Sequence, residues 1–197
     1  MAYIIIAIGY LLGSIPTAYI AGRLVKNRDI RTLGDGNMGA QNAFKQLGPG
    51  IGFSVGVIDA AKGALVIIIA QAASLSQLWI FLVGIAAVLG HNWPVFLSFK
   101  GGRGESTTIG ILLVLVTQPI LISGAFAAAA LIRTRNVILA SAVLFIPLPF
   151  ISWWLGIPGA LIIYAIGLPC LVGITHYART RQEMPLPVLD IENHTGR

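Results

Sequence analysis

The chain has 197 residues, 56% of them hydrophobic and only 10% charged, with a mean hydropathy of +0.85. A water-facing domain of this size carries about 25% charged residues, so the composition excludes an ordinary soluble domain and argues against a nucleic-acid partner. The net charge is +6, and the single cysteine, Cys170, excludes an intramolecular disulfide and reads as a small packing residue.

The first apolar run, residues 2–22, has no basic residue before it and is long for a secretory signal. Arg23, Lys26 and Arg28 follow it, which predicts a retained span with its N-terminus outside. Further apolar segments run at about 51–70, 78–97, 106–118, 119–132, 137–155 and 157–177, which makes seven spans with the first. Segments 106–118 and 119–132 are short and could be one span broken at Pro119. The charges decide against merging them. With seven spans, the inner segments 23–50, 98–105, 133–136 and the tail after Tyr177 hold twelve of the thirteen Lys and Arg residues, Lys62 being the exception. A merged span would put Arg133 and Arg135 outside with no acid nearby. The predicted fold is therefore an all-α, polytopic transmembrane helix bundle with its N-terminus outside and its C-terminus in the cytoplasm.

The outer connections are short: 72–77, a turn at Gln118 and Pro119, and a turn at Gly156. The chemistry is expected on the cytoplasmic face, where the long loops lie. Residues 1–182 read as one transmembrane domain. The tail 183–197, with Pro185, Pro187 and mixed charge, is expected to be disordered. There is no second domain and no convincing internal repeat.

Asp59 and Lys62 stand inside the second span at a spacing of i, i+3, on one helix face where they can pair. Charges in membranes usually face a bundle interior or a polar cavity; the pair reads either as a packing device or as the wall of a site. The third span closes on His91-Asn92-Trp93-Pro94, and His176 stands at the inner end of the last span. The most informative stretch is Phe99-Lys100-Gly101-Gly102-Arg103-Gly104-Glu105-Ser106-Thr107-Thr108, a glycine-rich turn running into a helix with hydroxyls in its first turn. Glycines let backbone N–H groups converge, a helix N-terminus adds positive potential, and Lys100 and Arg103 add full charges. This outlines a phosphate cradle without the spacing of a nucleotide-binding P-loop. A second inner loop, 29–42, is rich in Gly and in Asn and Gln amides. Two such loops on one face suit substrates that carry two phosphate groups. No nucleophilic triad is recognisable, and the histidines lack metal-ligand spacing.

Together these stretches resemble the bacterial acyl-phosphate:glycerol-3-phosphate acyltransferases. The resemblance rests on Gly13-Ser14-Ile15-Pro16, the 29–42 loop, the stretch 56–63 with Asp59 and Lys62, and above all Gly90-His91-Asn92-Trp93-Pro94-Val95-Phe96 followed by Phe99-Lys100-Gly101-Gly102. It covers nearly the whole chain. It implies a seven-helix inner-membrane enzyme, its active site facing the cytoplasm, that transfers a fatty acyl group from acyl phosphate to glycerol 3-phosphate. The product would be lysophosphatidic acid, with no metal or organic cofactor and no obligate protein partner beyond the lipid bilayer.

The chain departs from the family pattern at six places. Asp35 stands where Ser is usual, Gln41 for Thr, Lys45 for Arg, Arg103 for Lys, Glu105 for a small apolar residue, and Arg179 for Asn. These departures imply a retuned pocket, a changed phosphorylated acceptor, or a paralogue without the original reaction; a non-enzymatic transporter or scaffold is the rival of another class. On the family reading, Lys100, Arg103 and the amides of Gly101, Gly102 and Gly104 hold phosphate. Asn37, Asn42 and Lys45 orient glycerol phosphate, and Arg179 offsets Asp35 or Glu105. Either His91 or His176, or the donor's own phosphate, takes the hydroxyl proton.

Overall fold

The computed structural model describes residues 1–183, with side chains described through Ala178. Among these residues every regular element is a helix. They are α1 (Ala2–Gly13), α2 (Thr17–Lys26), α3 (Ala40–Leu47), α4 (Pro49–Ala72), α5 (Gln77–Asn92), α6 (Glu105–Leu115), α7 (Thr117–Thr134), α8 (Val137–Phe145), α9 (Leu148–Trp154) and α10 (Gly159–Glu183), with short 3-10 turns at Ile30–Thr32 and Val95–Leu97. Five stretches are long and apolar enough to cross a bilayer: Ala2–Lys26, Pro49–Ala72, Gln77–Leu97, Val137–Trp154 and Gly159–Ala178. The tail expected to be disordered lies outside the described residues, apart from Glu183 at the end of α10.

The apolar segments read from the sequence are present, but several are broken. Pro16 has no N–H to donate, and α1 stops at Gly13 before α2 starts at Thr17. Pro147 divides the sixth segment into α8 and α9 in the same way. The expected turn at Gln118 and Pro119 falls instead at Val116. Pro119 sits in the first turn of α7, where its missing N–H is not needed. The amphipathic α3, which begins at the end of the 29–42 loop, is not among the elements read from the sequence. At 1.5 Å per residue the 11-residue α6 reaches about 16 Å, roughly half the hydrocarbon thickness.

α4 is the central helix, packing against α1, α2, α3, α5 and α6. Its buried residues, Gly52, Val55, Asp59, Lys62, Gly63, Val66, Ile67 and Ala70, recur every three or four positions and form one stripe. Lipid tails are as apolar as leucine, so helices in a bilayer associate through close packing rather than through burial from water. Small residues supply that packing here. A methyl group built on Gly13 would stand 2.1 Å from the carbonyl oxygen of Ala87, and one on Gly90 would stand 2.1 Å from that of Tyr10, so α1 and α5 cross backbone to backbone. α4 and α6 do the same through Gly63 and Gly110. The large apolar side chains left on the outside, among them Phe150, Trp153 and Trp154, suit a lipid-facing surface.

Candidate functional site

The break between α1 and α2 leaves backbone carbonyls without helical partners. In the hydrocarbon region such groups must be satisfied internally. Lys62, from the middle of α4, does this: its Nζ donates to the carbonyl oxygen of Ile15 at 3.0 Å and lies 2.9 Å from Asp59 Oδ1. The Thr17 hydroxyl donates to that carboxylate oxygen at 2.8 Å, and His91 Nδ1 stands 3.7 Å from it. All four side chains are buried, Asp59 being 1% exposed. One carboxylate oxygen therefore ties together the α1–α2 break, the middle of α4 and the end of α5.

The first glycine-rich loop is seated on top of this cluster. The chain turns back after the 3-10 turn through Ser98 and Phe99, both left-handed, at φ 52° and 61°. Phe99 N–H then donates to Pro94 O at 3.0 Å, and Gly102 N–H donates to His91 O at 3.1 Å. The contact leaves no room for side chains. A methyl group on Gly101 would lie 2.2 Å from His91 O, and one on Gly102 would lie 2.1 Å from His91 Nε2. Gly104, at φ +85°, caps α6 and would crowd Asn92 Oδ1 in the same way. The His91 ring is thus packed between Asp59 on one side and Gly102 on the other.

The second loop is held from within. Asn42 Nδ2 points at three loop carbonyls, those of Leu33 (2.9 Å), Asn37 (3.0 Å) and Ile30 (3.4 Å), and Asn42 is 2% exposed. Its amide therefore organises the loop. Asp35 Oδ1 accepts the N–H of Asn37 at 3.1 Å. Asp29 forms a bidentate pair with Arg31, whose hydrogen bonds hold the Asp29 carboxyl below the usual carboxylate range. Ile30, Met38, Ala43 and Leu47 give the loop and α3 an apolar core shared with Ala18 and Val55. The loop is preorganised rather than draped.

The two loops meet. Arg103 Nη2 lies 3.7 Å from Asp35 Oδ2. Gly56 of α4 lies between the starts of α3 and α6: a methyl group built on it would stand 3.3 Å from Ala40 Cβ and 3.9 Å from Ser106 Oγ. Two helix N-termini, each with free N–H groups and partial positive charge, thus converge near Arg103. The side-chain oxygens of Asn37, Thr107 and Thr108 are buried nearby in the chain and make no hydrogen bond with described residues.

The remaining sequence-predicted residues are less closely gathered. Lys45 and Lys100 are exposed and form no ion pair with described residues. Asn92 Nδ2 donates to Thr175 Oγ1 at 3.1 Å, which brings the part of α10 that carries His176 onto the end of α5. The Arg179 side chain lies outside the described residues. The acids it was expected to offset have other partners: Asp35 faces Arg103, and Glu105 accepts a hydrogen bond from the Ser141 hydroxyl. Sequence reasoning missed Thr17, Ser141 and Thr175; only Thr17 carried a signal, a hydroxyl directly after a span-breaking proline. Among the described residues no three His, Cys, Asp or Glu side chains gather as a metal site.

Beside the cluster an apolar groove of about 320 Å³ runs between α2 and α4, lined by Ile15, Thr17, Ile20, Leu24, Val55 and Ile58 among others. Thr17 belongs to both the groove and the Asp59 cluster.

A sequence model of the family described as glycerol-3-phosphate acyltransferase matches residues 3–184. Glycerol-3-phosphate acyltransferase 4 of Dehalococcoides mccartyi is 52% identical, over 92% of this chain and 98% of its own length. The glycerol-3-phosphate acyltransferase of Halalkalibacterium halodurans is 35% identical, over 100% and 97%. Among solved structures, the glycerol 3-phosphate form of PlsY (YgiH), an integral membrane glycerol 3-phosphate acyltransferase, superposes with a TM-score of 0.81 at 30% identity, covering 96% of this chain and 98% of that one. Its lysophosphatidic acid form gives 0.79 at 29%, covering 92% and 90%.

Proposed function

The chain belongs to the glycerol-3-phosphate acyltransferase family, and from that premise we propose that it moves a fatty acyl group from acyl phosphate to glycerol 3-phosphate, releasing lysophosphatidic acid and inorganic phosphate. The observation that carries the reading is the meeting of the two glycine-rich loops through Arg103 and Asp35 at the starts of α3 and α6. Cations, convergent N–H groups and amide side chains at one place suit a pair of phosphorylated substrates.

An acyl phosphate is already activated, so no covalent enzyme intermediate is required. The glycerol hydroxyl oxygen attacks the acyl carbonyl carbon, the bond from that carbon to the phosphate oxygen breaks, and phosphate leaves with the electron pair. Holding the two anions side by side supplies much of the rate. Arg103, Lys100 and the amides of Gly101, Gly102 and Gly104 are assigned to phosphate. Asn37 and Lys45 are assigned to glycerol phosphate, with Asn42 supporting the loop that carries Asn37, and Arg179 is assigned to substrate binding as well. Both ring nitrogens of His91 are engaged, Nδ1 facing Asp59 and Nε2 against Gly102, so the hydroxyl proton is assigned to the donor's phosphate or to His176. The acyl chain is assigned to the groove between α2 and α4, open to lipid.

Arg103→Ala is expected to raise KM for acyl phosphate about tenfold or more, the loss of one charge-assisted contact of roughly 1.5–3 kcal/mol. Steady-state kinetics on the purified variant measure it, and an unchanged KM removes Arg103 from the site. The donor is tested by supplying acyl phosphate and acyl-CoA in parallel. Acyl phosphate is expected to work and acyl-CoA to fail, and equal turnover with acyl-CoA rejects the donor assignment.

For topology we propose seven spans, with α6 and α7 each crossing, the N-terminus outside, and both the C-terminus and the active site facing the cytoplasm of a bacterial-type inner membrane. Arg133 in the last turn of α7 and Arg135 directly after it, both exposed, support this orientation. In a Cys170→Ser background, a cysteine at Arg133 or Arg135 is expected to resist impermeant thiol reagents in intact cells and to react after lysis. Labelling in intact cells reverses the assignment.

A further inference from the structure

Asp59 and Lys62 lie below the loops that meet substrate, and the reaction as proposed uses neither. Their geometry still reaches the site. Asp59 Oδ1 accepts from Thr17, pairs with Lys62 and faces His91 Nδ1. The opposite ring nitrogen of His91 abuts Gly102, and the His91 carbonyl accepts the Gly102 N–H. A line of contacts therefore runs from a buried carboxylate in α4, through an imidazole, to the backbone of the first glycine-rich loop. The same carboxylate is fixed from below by Lys62, which is itself held on the Ile15 carbonyl, and by Thr17 on the wall of the apolar groove.

We infer that Asp59 and Lys62 are positioning residues: through His91 they set the height of the 101–104 loop, and through Ile15 and Thr17 they tie that height to the groove. This rests on the reading that the loop holds phosphate. A structural ion pair needs only opposite charges at two positions. This arrangement needs the negative charge at residue 59 in particular, because only that end faces His91. Exchanging the charges keeps the pair but turns an ammonium toward the imidazole.

The test compares Asp59→Asn, Lys62→Met and the exchange Asp59→Lys with Lys62→Asp, all in the full chain in detergent. Thermal midpoint, backbone hydrogen–deuterium exchange and kinetics are read for each. Asp59→Asn is expected to speed exchange at residues 101–104 at least tenfold, with α7 and α8 unchanged, and to raise KM for acyl phosphate tenfold or more. The exchange variant is expected to recover thermal stability relative to the single variants without recovering loop protection or KM. An exchange variant that recovers loop protection and kinetics together with stability overturns the inference, because the pair is then only structural. So does an Asp59→Asn protein whose loop exchange matches the starting chain. A starting chain that never turns over, with the loop still loosened by Asp59→Asn, leaves this inference standing and sinks the functional reading instead.

Discussion

Gly102→Ala is expected to lower kcat/KM about a hundredfold or more while the chain stays folded. A methyl group there would meet His91 Nε2 at 2.1 Å and two carbons of the ring at 3.0 Å. Contacts that short force something to move. The imidazole cannot retreat, because it is buried and its other nitrogen already faces Asp59. The loop must therefore lift, carrying Arg103 and the neighbouring amides away from the phosphate. A displacement of about 1 Å at a reacting centre costs on the order of a hundredfold. The check is a mutant cycle with His91→Ala, which removes the obstructing ring. If the clash is the cause, Gly102→Ala adds little once His91 is alanine. A loss that multiplies in full with that of His91→Ala contradicts the explanation.

The second large effect falls on stability. Gly110→Val is expected to lower the thermal midpoint in detergent by roughly 6–12 °C, for an overpacking cost of about 3 kcal/mol in a chain of this size. The first carbon of any side chain at this position would sit 1.8 Å from the carbonyl oxygen of Ala60 and 2.9 Å from its Cα. These are backbone atoms in the central helix, so neither partner can rotate aside. Gly63 meets Thr107 O in the same crossing. Separating α4 from α6 also drags the start of α6 away from Gly56 and the start of α3, so surviving protein should bind substrate poorly. Gly167→Ala in α10 is the control, since nothing lies within 4 Å of the added carbon. Its midpoint is expected to move by no more than about 2 °C, within the small change that exposed helical Gly→Ala substitutions bring.

Much of this architecture was legible in the residues. Apolar runs near the length of a bilayer core are hard to mistake, and the five stretches able to span coincide with five of the segments read from the sequence. The Asp59–Lys62 pair followed from helical spacing alone and is present at 2.9 Å. The breaks were less legible. A proline in an apolar run fixes only that a helix is disturbed nearby; whether the chain stops before it, as at Pro16, or starts just ahead of it, as at Pro119, depends on which neighbours satisfy the freed carbonyls. At Pro16 the neighbour is Lys62, 46 residues on in sequence and part of another helix.

Within the site, the phosphate-like loop was visible because glycine density and basic residues are local properties. Its seat was not, because the collision that demands glycine at 102 comes from a ring that only folding brings there. Asn42 shows the limit from the other side. A polar amide in a glycine-rich loop reads as a ligand for substrate, yet its donors are spent on the carbonyls of Ile30, Leu33 and Asn37. The same holds for Asp35 and Glu105. In the sequence they look like charge set against a phosphate site. In the fold each has a partner from another segment, Arg103 and Ser141.

The central claim is tested most directly by purified full-length protein in detergent or liposomes, given acyl phosphate and isotopically labelled glycerol 3-phosphate. The expected result is labelled lysophosphatidic acid formed one for one with inorganic phosphate, both falling together in Arg103→Ala. Phosphate released without labelled lipid, or no labelled lipid above a heat-denatured control, contradicts the account.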